Sequence, residues 1–136
     1  MNSIKEMPQI MVVDDDENIL KALRRELEAV NLYRVKTFKS PEAALIQAKN
    51  TQYDLLIADY WMPWMHGLTF IKKFTALQPH AASIIISGDA ERAIQHSEYN
   101  GIRIPYLLRK PWQTSELLEI VADALSGHET YQAEIK

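Results

Sequence analysis

Hydrophobic and polar positions alternate between two rhythms along the chain. Short apolar runs recur as "QIMVV" (9–13), "YRVKTF" (33–38), "DLLIAD" (54–59), "ASIIIS" (82–87) and "IPYLLR" (104–109). Their length suits strands, and most read as apolar on both faces, as in a buried parallel sheet. "YRVKTF" alternates instead and reads as a strand nearer an edge. Between these runs the apolar period lengthens to that of a helix. In "ENILKALRRELEAVN", Leu20, Leu23, Leu27 and Val30 fall on one stripe with charges opposite. "SPEAALIQAKN" opens with Ser40 as N-cap and Pro41 at the first helical position. "LTFIKKFTAL" (68–77) puts Phe70, Ile71, Phe74 and Leu77 on one face, and Pro79 stops it. "DAERAIQHSEY" (89–99) is a short helix with a thin stripe of Ala90, Ala93 and Ile94. "TSELLEIVADALSG" closes the pattern, with Thr114 or Ser115 as cap and Gly127 as terminator.

Five strands alternating with five helices predict a doubly wound α/β fold, a parallel sheet covered on both sides. The 136 residues fit one domain, expected over 1–127, with a polar C-terminal tail or linker start at 128–136. Hydrophobic residues make up 47%, enough for a core. The apolar runs are too short for a membrane span, and the N-terminus lacks a signal-peptide layout. Net charge is −3 with scattered Lys and Arg, so no basic patch suggests nucleic-acid binding. The absence of cysteine excludes disulfides, thiol catalysis and thiolate metal sites, and agrees with a cytoplasmic location.

In such a sheet functional groups gather beyond the carboxyl ends of the strands. Those ends carry Asp14-Asp15-Asp16-Glu17, then Asp59, then Ser87-Gly88-Asp89, then Arg109-Lys110-Pro111. Three carboxylates about 4 Å apart repel by roughly 4 kcal/mol per pair at an effective dielectric near 20. A divalent cation relieves that, and an all-oxygen set suits Mg²⁺ or Mn²⁺. Lys110 would pair with Asp59 or with a phosphoryl group on it. A carboxylate so placed can attack phosphorus, with Ser87 as hydrogen-bond donor to the transferred group.

These features together resemble the receiver domain of bacterial two-component response regulators. The resemblance covers about residues 8–127 and is carried by "VVDDDEN", "DYWMPWMHG", "ISGDA" and "RKPW". Each alone is weak; the four in order are specific. The resemblance implies a flavodoxin-like (βα)5 fold with strand order 2-1-3-4-5. It implies Asp59 as phosphoacceptor, Asp14 and Asp15 as the acid pair for Mg²⁺, and the Trp61 backbone carbonyl as a further ligand. Ser87 corresponds to the switch hydroxyl and Lys110 to the phosphate-binding lysine, followed by Pro111 after a cis peptide bond. It further implies a sensor histidine kinase or phosphotransfer protein as donor, self-catalysed phosphoryl transfer, and an output domain or protein partner. The output surface would be the fourth helix, fifth strand and fifth helix, a face also compatible with a homodimer.

Two departures stand out. The aromatic switch position three residues before the lysine holds Leu107, with Tyr106 one earlier; in a regular strand Tyr106 points to the other face. Trp61 is bulkier than the group many receivers carry there, and is expected to screen an acyl phosphate from water. Gly67 is expected in a conformation other residues avoid.

Simpler roles suit other residues. Asp16 and Glu17 read as helix caps. His66, His80, His96 and His128 lack metal-ligand spacing and read as surface groups. Trp64 reads as packing on the adjacent loop or facing a partner, and Trp112 as core, anchor or partner contact. Two alternatives stay open. Asp14-x-Asp16 is similar to the start of haloacid dehalogenase-type phosphatases, which would make Asp14 the nucleophile. A pseudo-receiver would bind partners without phosphorylation.

Overall fold

Buried strands form where β-branched and other apolar residues run together, and the computed structural model bears this out. It describes residues 7–63 and 65–127. Trp64, His128 and the proposed tail at 128–136 lie outside the described residues. The elements alternate: β1 (Gln9–Val13), α1 (Glu17–Glu28), β2 (Arg34–Phe38), α2 (Pro41–Ala48), β3 (Leu55–Asp59), α3 (Gly67–Leu77), β4 (Ala82–Ser87), α4 (Ala90–Tyr99), β5 (Leu107–Arg109) and α5 (Thr114–Ser126). The sheet order is β2-β1-β3-β4-β5, and every pairing is parallel. This is the flavodoxin-like order, with β2 at an edge. Among the described residues, no helix is long and apolar enough to cross a membrane.

Alternation along the strands sorts the core into layers. Ile10, Val12, Leu55, Ile57, Ile84 and Ile86 pack against Leu20, Leu23 and Leu27 of α1 and Leu117 and Val121 of α5. Met11, Val13, Leu56 and Ala58 turn the other way, onto Ala44 of α2 and Phe70 and Phe74 of α3. Tyr60, Leu68, Ile85 and Ala93 form a smaller cluster beneath α4.

Local signals explain the boundaries. Asp16 caps α1 by accepting from Asn18 N, and Ser40 caps α2 by accepting from Ala43 N. α1 stops at Glu28, earlier than its apolar stripe suggests, and Asn31 then takes a left-handed φ of 59°. β5 begins at Leu107 rather than Ile104, since Pro105 has no amide to donate and only three residues enter the ladder. The cap of α5 is Gln113, not Thr114 or Ser115: its backbone amide donates to Glu116 Oε1 at 2.9 Å. Gly127 ends α5 at φ 72°, as expected. Leu77 is 40% exposed, so the inner face of α3 is Leu68, Phe70 and Phe74 instead.

Candidate functional site

Strands β1, β3, β4 and β5 deliver side chains at or just past their carboxyl ends to the same edge. Asp14 follows β1, and its amide donates to the Phe38 carbonyl at 3.1 Å, which fixes the loop against β2. Asp59 ends β3, paired with Ile86 of β4. Carboxylate oxygens of Asp14, Asp15 and Asp59 all lie within 4.8 Å of one another. Asp14 and Asp59 are buried, whereas Asp15 is exposed. Lys110 Nζ stands 3.0 Å from Asp14 Oδ2 and 3.5 Å from Asp59 Oδ1. The contact with Asp14 Oδ2 is an ion pair without hydrogen-bond alignment, while Oδ1 of the same group accepts from Asp16 N at 2.8 Å.

Electrostatics in this cluster are strained. Burial raises the pKa of Asp59 to about 6; repulsion from Asp14 adds to this, and Lys110 and the Trp61 backbone amide oppose it. Burial likewise raises Asp14, against hydrogen bonding from Asp16 N and the charge of Lys110. Burial alone would lower Lys110, but Asp14 and Asp59 together outweigh it and raise its pKa. The ammonium is therefore held charged while two carboxylates share it incompletely. Oxygen-only donors, a surplus of negative charge and one exposed acid fit a hard, partly hydrated divalent cation.

Ser87 is fully buried at the end of β4. Its Oγ accepts from Asp89 N at 3.0 Å, and its carbonyl accepts from Lys110 N at 2.8 Å. The Lys110–Pro111 peptide is cis, as expected. Trp112 is partly buried against the α1/α5 core, and its indole donates to Glu26 Oε1 at 2.8 Å. Tyr106 packs into the α1/α5 core and Leu107 into the cluster beneath α4, so the two do point to opposite faces.

Gly67 departs from expectation. Its φ is not left-handed; a close approach of backbones demands glycine there. A Cβ on it would sit 2.6 Å from the Asp59 carbonyl oxygen and 2.7 Å from Tyr60 Cα. Its amide donates to the Tyr60 carbonyl at 2.6 Å, which folds the loop after β3 tightly back on itself.

Three residues near the site had no sequence signal. The Tyr60 hydroxyl shares a hydrogen bond with His96 Nδ1, and Arg92 stacks over Trp61. These contacts join residues more than thirty positions apart, so spacing could not reveal them.

Comparison with known proteins places residues 10–122 in the response regulator receiver domain pattern. The hydrogenase transcriptional regulatory protein HoxA of Cupriavidus necator is 32% identical over 120 residues, 87% of this chain and 24% of that protein. The chain spans about a quarter of the length of the first curated relatives it matches. A signal receiver domain of an HD domain-containing protein from Pseudomonas fluorescens superposes with a TM-score of 0.79 at 28% identity, covering 90% of this chain and 97% of that one. A response regulator from Burkholderia pseudomallei with a phosphorylated aspartic acid, calcium ion and citrate gives a TM-score of 0.74 at 25% identity, covering 94% and 70%.

Proposed function

Because this chain belongs to the response regulator receiver domain family, we propose that Asp59 accepts a phosphoryl group from a phosphohistidine or a small acyl phosphate. The observation that carries this is the placement of a buried Asp59 carboxylate beside Lys110 Nζ, within reach of Asp14 and Asp15. Receiver domains bind Mg²⁺ at an acidic pocket of this kind. Asp14, Asp15, Asp59 and the Trp61 carbonyl would hold the ion here, with Mn²⁺ as a substitute. When bound, the ion supplies charge neutralisation for the transferred group.

In the transfer, an Asp59 oxygen forms a bond to phosphorus as the P–N bond of the donor breaks; the departing imidazole takes a proton from solvent. Lys110 offsets charge on the equatorial oxygens. Ser87 would exchange its contact with Asp89 N for one to a phosphoryl oxygen, drawing the start of α4 inward. The output would pass through α4, β5 and α5 to an output domain or separate protein, or to a second copy of the chain. A sensor histidine kinase or phosphotransfer protein is the donor that suits this chemistry, in a cytoplasmic setting. The family match leaves the dehalogenase-type phosphatase and pseudo-receiver alternatives without support.

Incubation with acetyl phosphate and Mg²⁺, read by intact mass, tests the assignment. A gain of about 80 Da, one phosphoryl group, is expected for the native sequence and not for Asp59→Asn. Equal labelling of Asp59→Asn would overturn it.

A further inference from the structure

Two consecutive residues after Asp59 reach one face of α4. Tyr60 is fully buried, and its hydroxyl hydrogen-bonds His96 Nδ1. The next residue, Trp61, lies under Arg92, whose guanidinium carbon is 4.5 Å from the ring centroid. Arg92 and His96 are four positions apart on a helix, so their side chains are neighbours. The rings close the cluster: the His96 centroid is 5.4 Å from Trp61 and 5.6 Å from Tyr60.

The two sides of this clasp differ in rigidity. Tyr60 is pinned, since its amide donates to the Ile86 carbonyl at 3.0 Å and its carbonyl accepts from Gly67 N. α4 is lightly seated. Its buried residues are Ala90, Ala93 and Ser97, which hide little apolar area. The Arg109–Glu91 pair at 2.7 Å also ties it to the end of β5, but both partners are exposed and such pairs contribute little. Contacts to residues 60 and 61 therefore join this helix to the loop after Asp59, with the His66 ring beside them, 5.4 Å from His96. The indole ring of Trp61 also lies edge-on to Tyr60, with centroids 4.7 Å apart, so the two residues present one aromatic surface to the helix. A lightly seated helix clasped to a fixed loop is an element whose position the state of that loop can bias.

We infer that Tyr60 and His96, with the Trp61–Arg92 stack beside them, are positioning residues that couple the state of Asp59 to the position of α4. The inference rests on the phosphoacceptor reading above. Displacement of the chain just after Asp59 passes through the Tyr60 hydroxyl to the middle of the helix, while Ser87 acts on its first turn. Tyr106 packs on the opposite face of the sheet, so this clasp carries the aromatic side of the signal.

Amide shifts of the full chain, with and without Mg²⁺ and beryllofluoride, test this. In the native sequence the shifts at 90–99 should be large. Tyr60→Phe keeps the ring but removes the hydroxyl; His96→Leu removes its hydrogen-bond partner. Each should cut the response at 90–99 to about half or less, while beryllofluoride still binds at Asp59 with its affinity changed by no more than the lost coupling. The double variant should lose no more than either single one. His96→Asn, whose amide restores a polar partner near the Nδ1 position, should recover most of the response. A response in Tyr60→Phe equal to the native one overturns the inference alone, as does a loss that His96→Leu does not share. Failure of the native chain to bind beryllofluoride at Asp59 overturns the phosphoacceptor reading and this inference together.

Discussion

The backbone amide of Lys110 donates to the carbonyl of Ser87 at 2.8 Å, so two residues of the proposed phosphoryl site are joined through the main chain. The bond continues the β4–β5 ladder by one step beyond the Ser87–Arg109 pair. It sets where the lysine side chain departs from the sheet, and its ammonium then reaches both Asp14 and Asp59.

Lys110→Ala should slow phosphorylation by acetyl phosphate by about 10²-fold or more, the usual loss when a charge-stabilising group is removed. It should also destabilise the metal-free protein at pH 7.5 by about 1–3 kcal/mol, because two buried carboxylates lose their partner. Denaturant unfolding at pH 7.5 and pH 5 checks this; the loss should shrink at the lower pH, where Asp59 is protonated. An equal loss at both would tell against the carboxylates as its cause.

Stability of the metal-free protein should fall as pH rises from about 4 to about 6. The folded pKa of Asp59 is raised from 3.8 to about 6, so folding favours the protonated acid. That contribution is complete below the unfolded pKa and is lost as pH climbs through the folded one. Its size is roughly 3 kcal/mol, at about 1.4 kcal/mol per pH unit. Asp14 shifts the same way and reinforces the trend. Mg²⁺ should therefore raise Tm more at pH 8 than at pH 5, since protons compete for its ligands. Thermal melts across pH with Mg²⁺ or EDTA measure both effects.

Gly67→Ala should destabilise by about 1–3 kcal/mol, because the added methyl meets main-chain atoms that cannot rotate away. Gly88→Ala, with nothing within 4 Å of the new carbon, is the matched control and should cost far less. Chemical denaturation of the pair decides this. Phosphorylation should also slow in Gly67→Ala, since the crowded atoms include the Asp59 carbonyl.

Trp61→Ala should speed loss of phosphate from the labelled protein, if a half-buried indole beside Asp59 limits the approach of water. A decay rate measured after removal of donor, unchanged or slower than the native one, would remove that role.

Much of this architecture could be read from the chain because local and tertiary preferences agree. Ser40 followed by Pro41 starts a helix by backbone chemistry alone, and four apolar strand ends lead directly to Asp14, Asp59, Ser87 and Lys110. Reading failed where geometry depends on distant partners. Gly67 was expected for its φ, yet the constraint is the proximity of Asp59 and Tyr60. Leu77 continues the apolar period of α3 but, as its last residue, stays 40% exposed. His96 looked like a surface imidazole; only the folded chain brings the Tyr60 hydroxyl to it.

Asp15 alone among the three clustered acids faces water. In the proposed reaction, ion exchange and donor arrival would share one doorway. A hydrated cation can enter there without parting the core. A macromolecular donor of the proposed kind would instead settle on the rim and extend its reactive nitrogen inward, so discrimination between donors would belong to the outer contour.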